Sequence, residues 1–345
     1  MLIGADGLAF GGPDLPARRL RDLLETLVDA ARPGSRIDWA TYYFRDRALA
    51  QALIRASDRG VRVRLVLDGH PRRAGANDAV IAQLANHGLC GGLHVRRGGV
   101  LSPGHLHTKI YAFADCALIG SFNPSGDDPE DAEVIAEIGD QDRGHNLLLR
   151  IDGTAHVAAL REQVERLARG RSSLIERFFP TANRVITTAD ASLRFYPRLR
   201  TLCVEPEIDA LVPGGHFRGA ISHLKAGPLT EAITRAARRG VTTEILVHDT
   251  ERRVPTPLVM QLAAAGVAIR RVVDPQGLPM HAKFLLLQSN GRTAAWLGSY
   301  NYNQRSRWLN AELLYRTTAA DTVAALDARF AAIAEMAGAR GMTLV

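Results

Sequence analysis

His-x-Lys followed by Gly-Ser-aromatic-Asn occurs twice in this chain. The first copy is His107-Thr108-Lys109 with Gly120-Ser121-Phe122-Asn123, and the second is His281-Ala282-Lys283 with Gly298-Ser299-Tyr300-Asn301. One such string is weak evidence. Two with the same parts in the same order imply a duplicated unit and one composite site shared by its copies. The spacing agrees: Gly240 lies 180 residues after Gly60, His281 lies 174 after His107, and Ser299 lies 178 after Ser121. A near-constant offset is what duplication with small loop changes leaves behind.

Each half follows one order of elements. Arg36 to Phe44 is rich in β-branched and aromatic residues and predicts a strand. Arg47 to Asp58 has apolar residues near helical spacing and is stopped by Gly60. Val61 to Leu67 predicts a strand, Ala79 to Ala85 a second helix, and His107 to Phe113 the strand that carries the motif. The second half repeats the plan through Arg239-Gly240-Val241 and the strand Thr243 to Val247. Strands alternating with helices indicate an α/β fold. The expected architecture is two similar halves, each a mixed sheet flanked by helices, related by a pseudo-twofold axis. The boundary is placed near Phe179-Pro180-Thr181, giving halves 1–179 and 180–345.

At 345 residues and 46% hydrophobic, the chain has ample material for two cores. A net charge of +7 favours anionic partners, though the basic residues are scattered. Lysine occurs only at Lys109, Lys225 and Lys283, and arginine fills every other cationic position. Keeping lysine in both motifs points to a need for a compact ammonium there. Cys90, Cys116 and Cys203 are odd in number and widely spaced, which supports neither a disulfide framework nor a zinc site. No leader pattern and no apolar stretch of ~18 residues is seen, so a cytoplasmic protein is expected.

Residues i and i+2 of a strand share a face, so each motif histidine is expected to project with its lysine. Two half-sites meeting about a twofold axis would gather two imidazoles, two ammoniums and four neutral donors. That set suits a phosphodiester. The lysines would neutralise its charge, and Ser121, Asn123, Ser299 and Asn301 would hydrogen-bond its non-bridging oxygens, with no metal or other cofactor required. One histidine would attack phosphorus while the other protonates the leaving oxygen. Aligning Leu147-Leu148-Leu149-Arg150 with Leu313-Leu314-Tyr315-Arg316 sets Asn146 opposite Glu312. A glutamate beside an imidazole raises its pKa, as a general acid needs. On that basis His107, with Asn146, is expected to be the nucleophile, and His281, with Glu312, the acid and base.

Both segments resemble the HKD motifs of the phospholipase D superfamily, whose pattern is H-x-K, four residues, D, then G-S-x-N. The likeness spans nearly the whole chain, and Gly298 to Glu312 resembles the matching block of bacterial cardiolipin synthases. The resemblance implies a metal-independent phosphodiesterase acting through phosphohistidine. Asp115 lies one position beyond the family's aspartate, usually regarded as structural, and the second motif has Gln288-Ser289-Asn290 in that region.

Other features weigh toward blander roles. His223-Leu224-Lys225 is a third His-x-Lys without a Gly-Ser-x-Asn partner, so it is read as a decoy at a strand end beside the pocket. His105 reads as a surface or supporting residue and His70 as a loop histidine. Tyr42, Tyr43, Phe44 and the tryptophans default to strand core. Asp127 to Asp131 reads as a solvated acidic loop. Phospholipid hydrolysis or phosphatidyl transfer is the favoured function, with peripheral membrane contact and a monomer holding both half-sites. A nuclease with the same chemistry would show a denser basic groove and stacking aromatics. A degenerate binding protein would not keep both histidines and lysines.

Overall fold

The computed structural model describes residues 7–98, 104–126, 135, 143–170, 175, 177–200 and 204–339. Two mixed sheets carry the same strand order. The first comprises β1 (Leu8–Gly11), β2 (Arg36–Thr41), β3 (Arg62–Asp68), β4 (Leu93–Arg96), β5 (Ile110–Ala112), β6 (Ala117–Gly120) and β7 (Asn146–Ile151), in the order β1-β7-β6-β5-β2-β3-β4. The second comprises β8 (Ile186–Thr187), β9 (Ala191–Tyr196), β10 (His216–Ile221), β11 (Thr242–His248), β12 (Ala268–Val272), β13 (Lys283–Ser289), β14 (Arg292–Gly298) and β15 (Glu312–Thr317). Its order, β8-β9-β15-β14-β13-β10-β11-β12, matches the first strand for strand once β8 is set aside. In both, three parallel strands continue into antiparallel ones.

The longer helices are α1 (Arg19–Asp29), α2 (Arg47–Asp58), α3 (Asp78–Asn86), α4 (Thr154–Ala168), α5 (Pro228–Arg238), α6 (Thr256–Ala264) and α7 (Ala320–Ala339). Local chemistry sets α2: Asp46 caps its start by accepting from the Leu49 amide at 2.7 Å. At the other end Gly60 adopts φ 89°, and the Val61 amide returns to the Ala56 carbonyl at 3.0 Å. Helix α5 ends the same way, with Gly240 at φ 89° and Val241 bonded to Ala236 at 3.1 Å. Such a cap needs a left-handed residue, which is why glycine sits at both places.

Helices α1, α2 and α3 cover one face of the first sheet, and α5 and α6 cover the outer face of the second. Between the sheets α4 and α7 share one apolar core drawn from both halves, including Ile110, Leu149, Leu160, Phe284, Leu313 and Phe330. A sheet buried on both faces explains the unbroken apolar runs Leu65-Val66-Leu67 in β3 and Ile245-Leu246-Val247 in β11.

Two short parallel bridges join the halves, Leu106 to Ala311 and His145 to Met280. They are counterparts. Leu106 and Met280 each precede a motif histidine, while His145 and Ala311 precede Asn146 and Glu312. Four backbone bonds close them: His107 to Ala311 at 2.9 Å, Ala311 to His105 at 2.9 Å, His281 to His145 at 3.1 Å, and His145 to Pro279 at 2.9 Å. The pseudo-twofold axis therefore passes between the motifs.

Arg329 of α7 reaches across this junction. It donates to both carboxylate oxygens of Asp14, at 2.6 and 2.9 Å, and meets His145 Nδ1 at 3.1 Å. Asp14 is held below its usual pKa: burial opposes its ionisation, but the Arg329 hydrogen bond and charge prevail. Because Arg329 is buried, its loss would leave a void and take a donor from the Gly11 carbonyl and His145, while Asp14 is exposed to water. Arg329→Ala is expected to lower unfolding stability by about 2–3 kcal/mol. Urea denaturation measures this, and an unchanged midpoint would show that the contact contributes nothing.

Candidate active site

The histidine-lysine motifs lie at the entrance to their strands. β5 starts at Ile110 and β13 at Lys283, so His107 and His281 sit in the bridging segments between the halves. The strand expected from His107 to Phe113 is shorter for that reason: its first residues bond across the axis to the other half. Lys109 and Lys283 are almost wholly buried, and each ammonium donates to the carbonyl of its own motif histidine at 2.6 Å.

The glycine before each motif serine is required by close strand approach. A Cβ on Gly120 would fall 2.1 Å from the Leu147 carbonyl oxygen, and one on Gly298 would fall 2.5 Å from that of Leu313. This closeness lets Ser121 Oγ accept from the Leu147 amide and Ser299 Oγ accept from the Leu313 amide, both at 3.1 Å. Each hydroxyl then donates onward, Ser121 to Asn146 Oδ1 at 3.0 Å and Ser299 to Glu312 Oε2 at 2.6 Å.

Asn146 and Glu312 in turn hold the histidines, but in the crossed sense. His107 Nδ1 donates to Glu312 Oε2 at 2.9 Å, and His281 Nδ1 donates to Asn146 Oδ1 at 2.8 Å. The expectation that each partner serves the histidine of its own half is thus overturned. The bridges that pair Leu106 with Ala311 and His145 with Met280 set the start of β15 against the first motif and the start of β7 against the second. Both rings present Nε2 as the free lone pair.

The serines also differ from expectation. Both are fully buried and neither lines the cavity, so they position Asn146 and Glu312 rather than meet a substrate oxygen. Asn123 and Asn301 do line it. The Asn123 carbonyl accepts from the Tyr43 amide at 3.2 Å, which leaves its amide nitrogen for another acceptor. Asp115 is exposed in the turn between β5 and β6, at the end of the sheet away from the motif.

The cavity holds about 620 Å³ and is lined by His107, His281, Asn123, Asn301 and residues that the motifs did not reveal. Tyr42 and Tyr43 are buried as expected and pack on each other, but β2 ends at Thr41, so both also line the cavity, while Phe44 joins the main core of the first half. Their hydroxyls accept from the Arg72 and Arg73 amides at 2.6 and 3.1 Å. His105 packs edge-on to Tyr42 and lines the cavity, and His223, expected at a strand end beside the pocket, lines it too. His70 is an exposed loop histidine, and Trp39 and Trp296 are core. Ser306 and Asn310, missed from the sequence, brace Glu312 Oε1 at 2.6 and 3.5 Å. Asn310 could have been found: it lies two residues before Glu312, the spacing that shares a face where the chain is extended. Asp127 to Asp131 lies outside the described residues, as do Cys203 and the side chain of Cys90; Cys116 is a buried free thiol.

Burial dominates the electrostatics. It pushes His107 down to about 4 against the pull of Glu312, and pushes His281 well below the usual histidine value, helped by Lys283 and Arg253. It brings Lys109 down to about 7, against Glu312 and Asp68. Glu312 stays below its ordinary value: burial opposes its charge, but His107, Lys109 and Ser299 outweigh it.

A stability profile follows from the sign. Between about pH 6.5 and pH 4 the unfolded chain protonates histidines that the folded chain keeps neutral, so stability falls as pH drops through that window. Glu312, with its lowered pKa, adds a loss in the same direction at still lower pH. Melting temperature is therefore expected to decline from pH 7 to pH 5, and the decline to shrink in His107→Asn. A flat profile would contradict the buried neutral imidazoles.

Among the described residues no group of three or more His, Cys, Asp or Glu could hold a metal ion, and no helix is long and apolar enough to cross a membrane. The family model described as cardiolipin synthase, PLD-like domain, matches residues 24–143 and 216–334, one match in each half. Phosphatidylserine synthase of Haemophilus influenzae Rd KW20 shares the fold with TM-score 0.67 and 13% identity, over 98% of this chain and 88% of its own. Polyphosphate kinase from Porphyromonas gingivalis does so with TM-score 0.63 and 12% identity, over 95% of this chain and 50% of its own. No curated protein matches the sequence.

Proposed function

The chain belongs to the cardiolipin synthase, PLD-like family of the phospholipase D superfamily, and from that premise we propose a metal-independent phosphodiesterase that works through a phosphohistidine. We take 1–179 and 180–345 as its two halves. One observation carries the reading: two imidazoles from different halves face one cavity, each fixed through Nδ1 by a partner from the opposite half.

His107 is the nucleophile. Its Nδ1 hydrogen is committed to Glu312, so Nε2 attacks phosphorus, forming the P–N bond as the bond to the leaving oxygen breaks. The ring then carries a positive charge, which the buried Glu312 carboxylate stabilises. This reason replaces the one drawn from sequence, which had assigned Glu312 to the other histidine. His281 gives its proton to the leaving oxygen; the negative charge of the bound diester opposes the burial that otherwise keeps this ring neutral. It then takes a proton from water or an alcohol, which attacks phosphorus, breaks the P–N bond and restores His107. Lys109 and Lys283 do not line the cavity; buried behind the histidines, their charges favour a bound phosphoryl group through space, and Asn123 and Asn301 donate to its oxygens.

Phospholipid is the favoured substrate, with hydrolysis or phosphatidyl transfer as the outcome and a cytoplasmic protein working at the membrane surface. The description of the matching family and the likeness to a phosphatidylserine synthase support this. The test is a panel of phosphatidylglycerol, phosphatidylcholine, cardiolipin, single-stranded DNA and a chromogenic diester, each in excess EDTA. Turnover of phospholipid with EDTA present is expected. Loss of all activity on adding EDTA would remove the two-lysine account, and turnover of DNA alone would replace lipid with nucleic acid.

A further inference from the structure

Large apolar side chains seldom reach the surface of this chain, and those that do are unevenly placed. Among the described residues seven are exposed, and four of them, Ile175, Phe178, Phe179 and Leu199, come from residues 175–199. Single exposed hydrophobics are ordinary on a folded surface, whereas a cluster marks a contact. Phe178 is the extreme case at 62% exposed. Local bonds hold the cluster together. Asn183 Nδ2 donates to the Phe179 carbonyl at 3.1 Å, and its Oδ1 accepts from the Leu199 amide at 2.7 Å.

The cluster lies at the catalytic end of the second sheet. Strand β9 finishes at Tyr196, which pairs with Glu312, the partner of His107. Leu199 follows three residues beyond that strand end. The short helix Gln304–Trp308 packs against the same strand, and the Tyr196 ring lies 4.7 Å from that of Tyr300 in the second motif. Trp308, at 40% exposed, is a fifth surface hydrophobic. Its indole donates at 3.0 Å to Gln304, which lines the cavity. The apolar cluster and the cavity rim therefore share one end of the fold.

Charge accompanies it. From Arg177 to Arg200 the chain has five arginines and a single acidic residue, Asp190, which lies at the opposite end of β9. Arg184 and Arg200 are exposed, and neither pairs with a carboxylate among the described residues. Arg177 sits over the Phe178 ring, 4.9 Å from its centre. Nucleic acid would use the arginines and stack on the rings, but it offers nothing to Ile175 and Leu199. An anionic bilayer uses every part: apolar side chains enter the headgroup boundary, tryptophan settles at the interface, and arginines stay with the phosphates.

We propose that Phe178, Phe179, Leu199 and Trp308, with Arg184 and Arg200, form the face that docks on an anionic phospholipid bilayer and holds the cavity against the headgroups. The proposal rests on the phospholipid reading of the cavity and adds to it the place where the protein meets the lipid surface. Rings carried on short hydrogen-bonded turns enter the boundary region without any helix having to insert.

Tryptophan fluorescence tests this directly, because Trp39 and Trp296 are buried and Trp308 alone faces water. The full chain is titrated with vesicles of phosphatidylglycerol and phosphatidylcholine, with phosphatidylcholine alone, and with vesicles whose acyl chains carry bromine. Mixed vesicles are expected to shift the emission to the blue, brominated ones to quench it, and phosphatidylcholine alone to bind about tenfold more weakly. Phe178→Ser with Phe179→Ser, and separately Arg184→Glu with Arg200→Glu, should each weaken binding about tenfold. Both double variants should keep the melting temperature and the turnover of a soluble chromogenic diester. Unchanged emission with vesicles, or variants that bind them as tightly as the parent, would overturn the face. So would a response to single-stranded DNA in place of vesicles, or a lipid-free dimer in light scattering that buries Trp308. Binding needs no turnover, so the two readings fail separately. Docking without phospholipid turnover would keep the face and remove the proposed function; vesicle turnover undiminished in both variants would do the reverse.

Discussion

His107→Ala is expected to lower kcat by about 10,000-fold or more with little change in stability. Removing a covalent nucleophile abolishes the pathway rather than weakening one contact, and residual activity reflects only what binding and electrostatics still provide. Stability is expected to fall only modestly, because Glu312 keeps the hydrogen bonds from Ser299, Ser306 and Asn310 when the imidazole is lost. The Ala311 to His107 backbone bond that joins the halves persists in the variant. Steady-state turnover and thermal melting measured together check the prediction. Full activity in His107→Ala would remove the catalytic assignment, and a collapsed melting curve would mean that the ring is chiefly structural.

Glu312→Gln is expected to reduce kcat by about 100- to 1,000-fold, more than its small change in shape suggests. Glu312 takes four donors: His107 and Ser299 on one oxygen, Ser306 and Asn310 on the other. Glutamine can still accept from His107, but its amide must then face donors on the opposite side, and its neutral carbonyl stabilises a phosphoimidazolium poorly. The crossed pairing gives this variant a specific signature. Formation of the phosphoenzyme, the step that builds positive charge on His107, should slow most. Asn146→Ala should instead impair the proton transfers of His281. Rapid-quench kinetics separate the two. Equal slowing of both steps by Glu312→Gln would contradict the assignment of Glu312 to His107.

Much of this was legible in the chain. The end of α2 was readable because Gly60 punctuates it, and the repeat of Gly60 at Gly240 carried the plan into the second half. The two halves followed from the doubled motif, and the α/β class from strands alternating with helices in each. What sequence could not give was the partner of each histidine. Aligning Asn146 with Glu312 established that they are equivalent, but equivalence is silent about which side of the axis each one faces. That choice is made by four backbone bonds between segments far apart in the chain.

The serines failed for a related reason. Their place beside the motif suggested a phosphate ligand, whereas the approach of Gly120 to Leu147 and of Gly298 to Leu313 turns both hydroxyls inward. The glycine was the signal, since it marks a strand too close to its neighbour for a side chain. Tyr42 and Tyr43 are buried as expected, but strand propensity does not say where a strand ends. Two residues past Thr41 the same aromatics become a wall of the cavity.

The central claim is that one composite site uses His107 to hold the phosphoryl group. Acid-resistant trapping is impractical for a phosphoramidate, so the direct measurement is an alkaline quench of enzyme turning over a phosphorus-labelled diester, followed by peptide mapping. The account predicts label on the peptide that contains His107, and its absence in His107→Ala. Label on the peptide that contains His281 would contradict it.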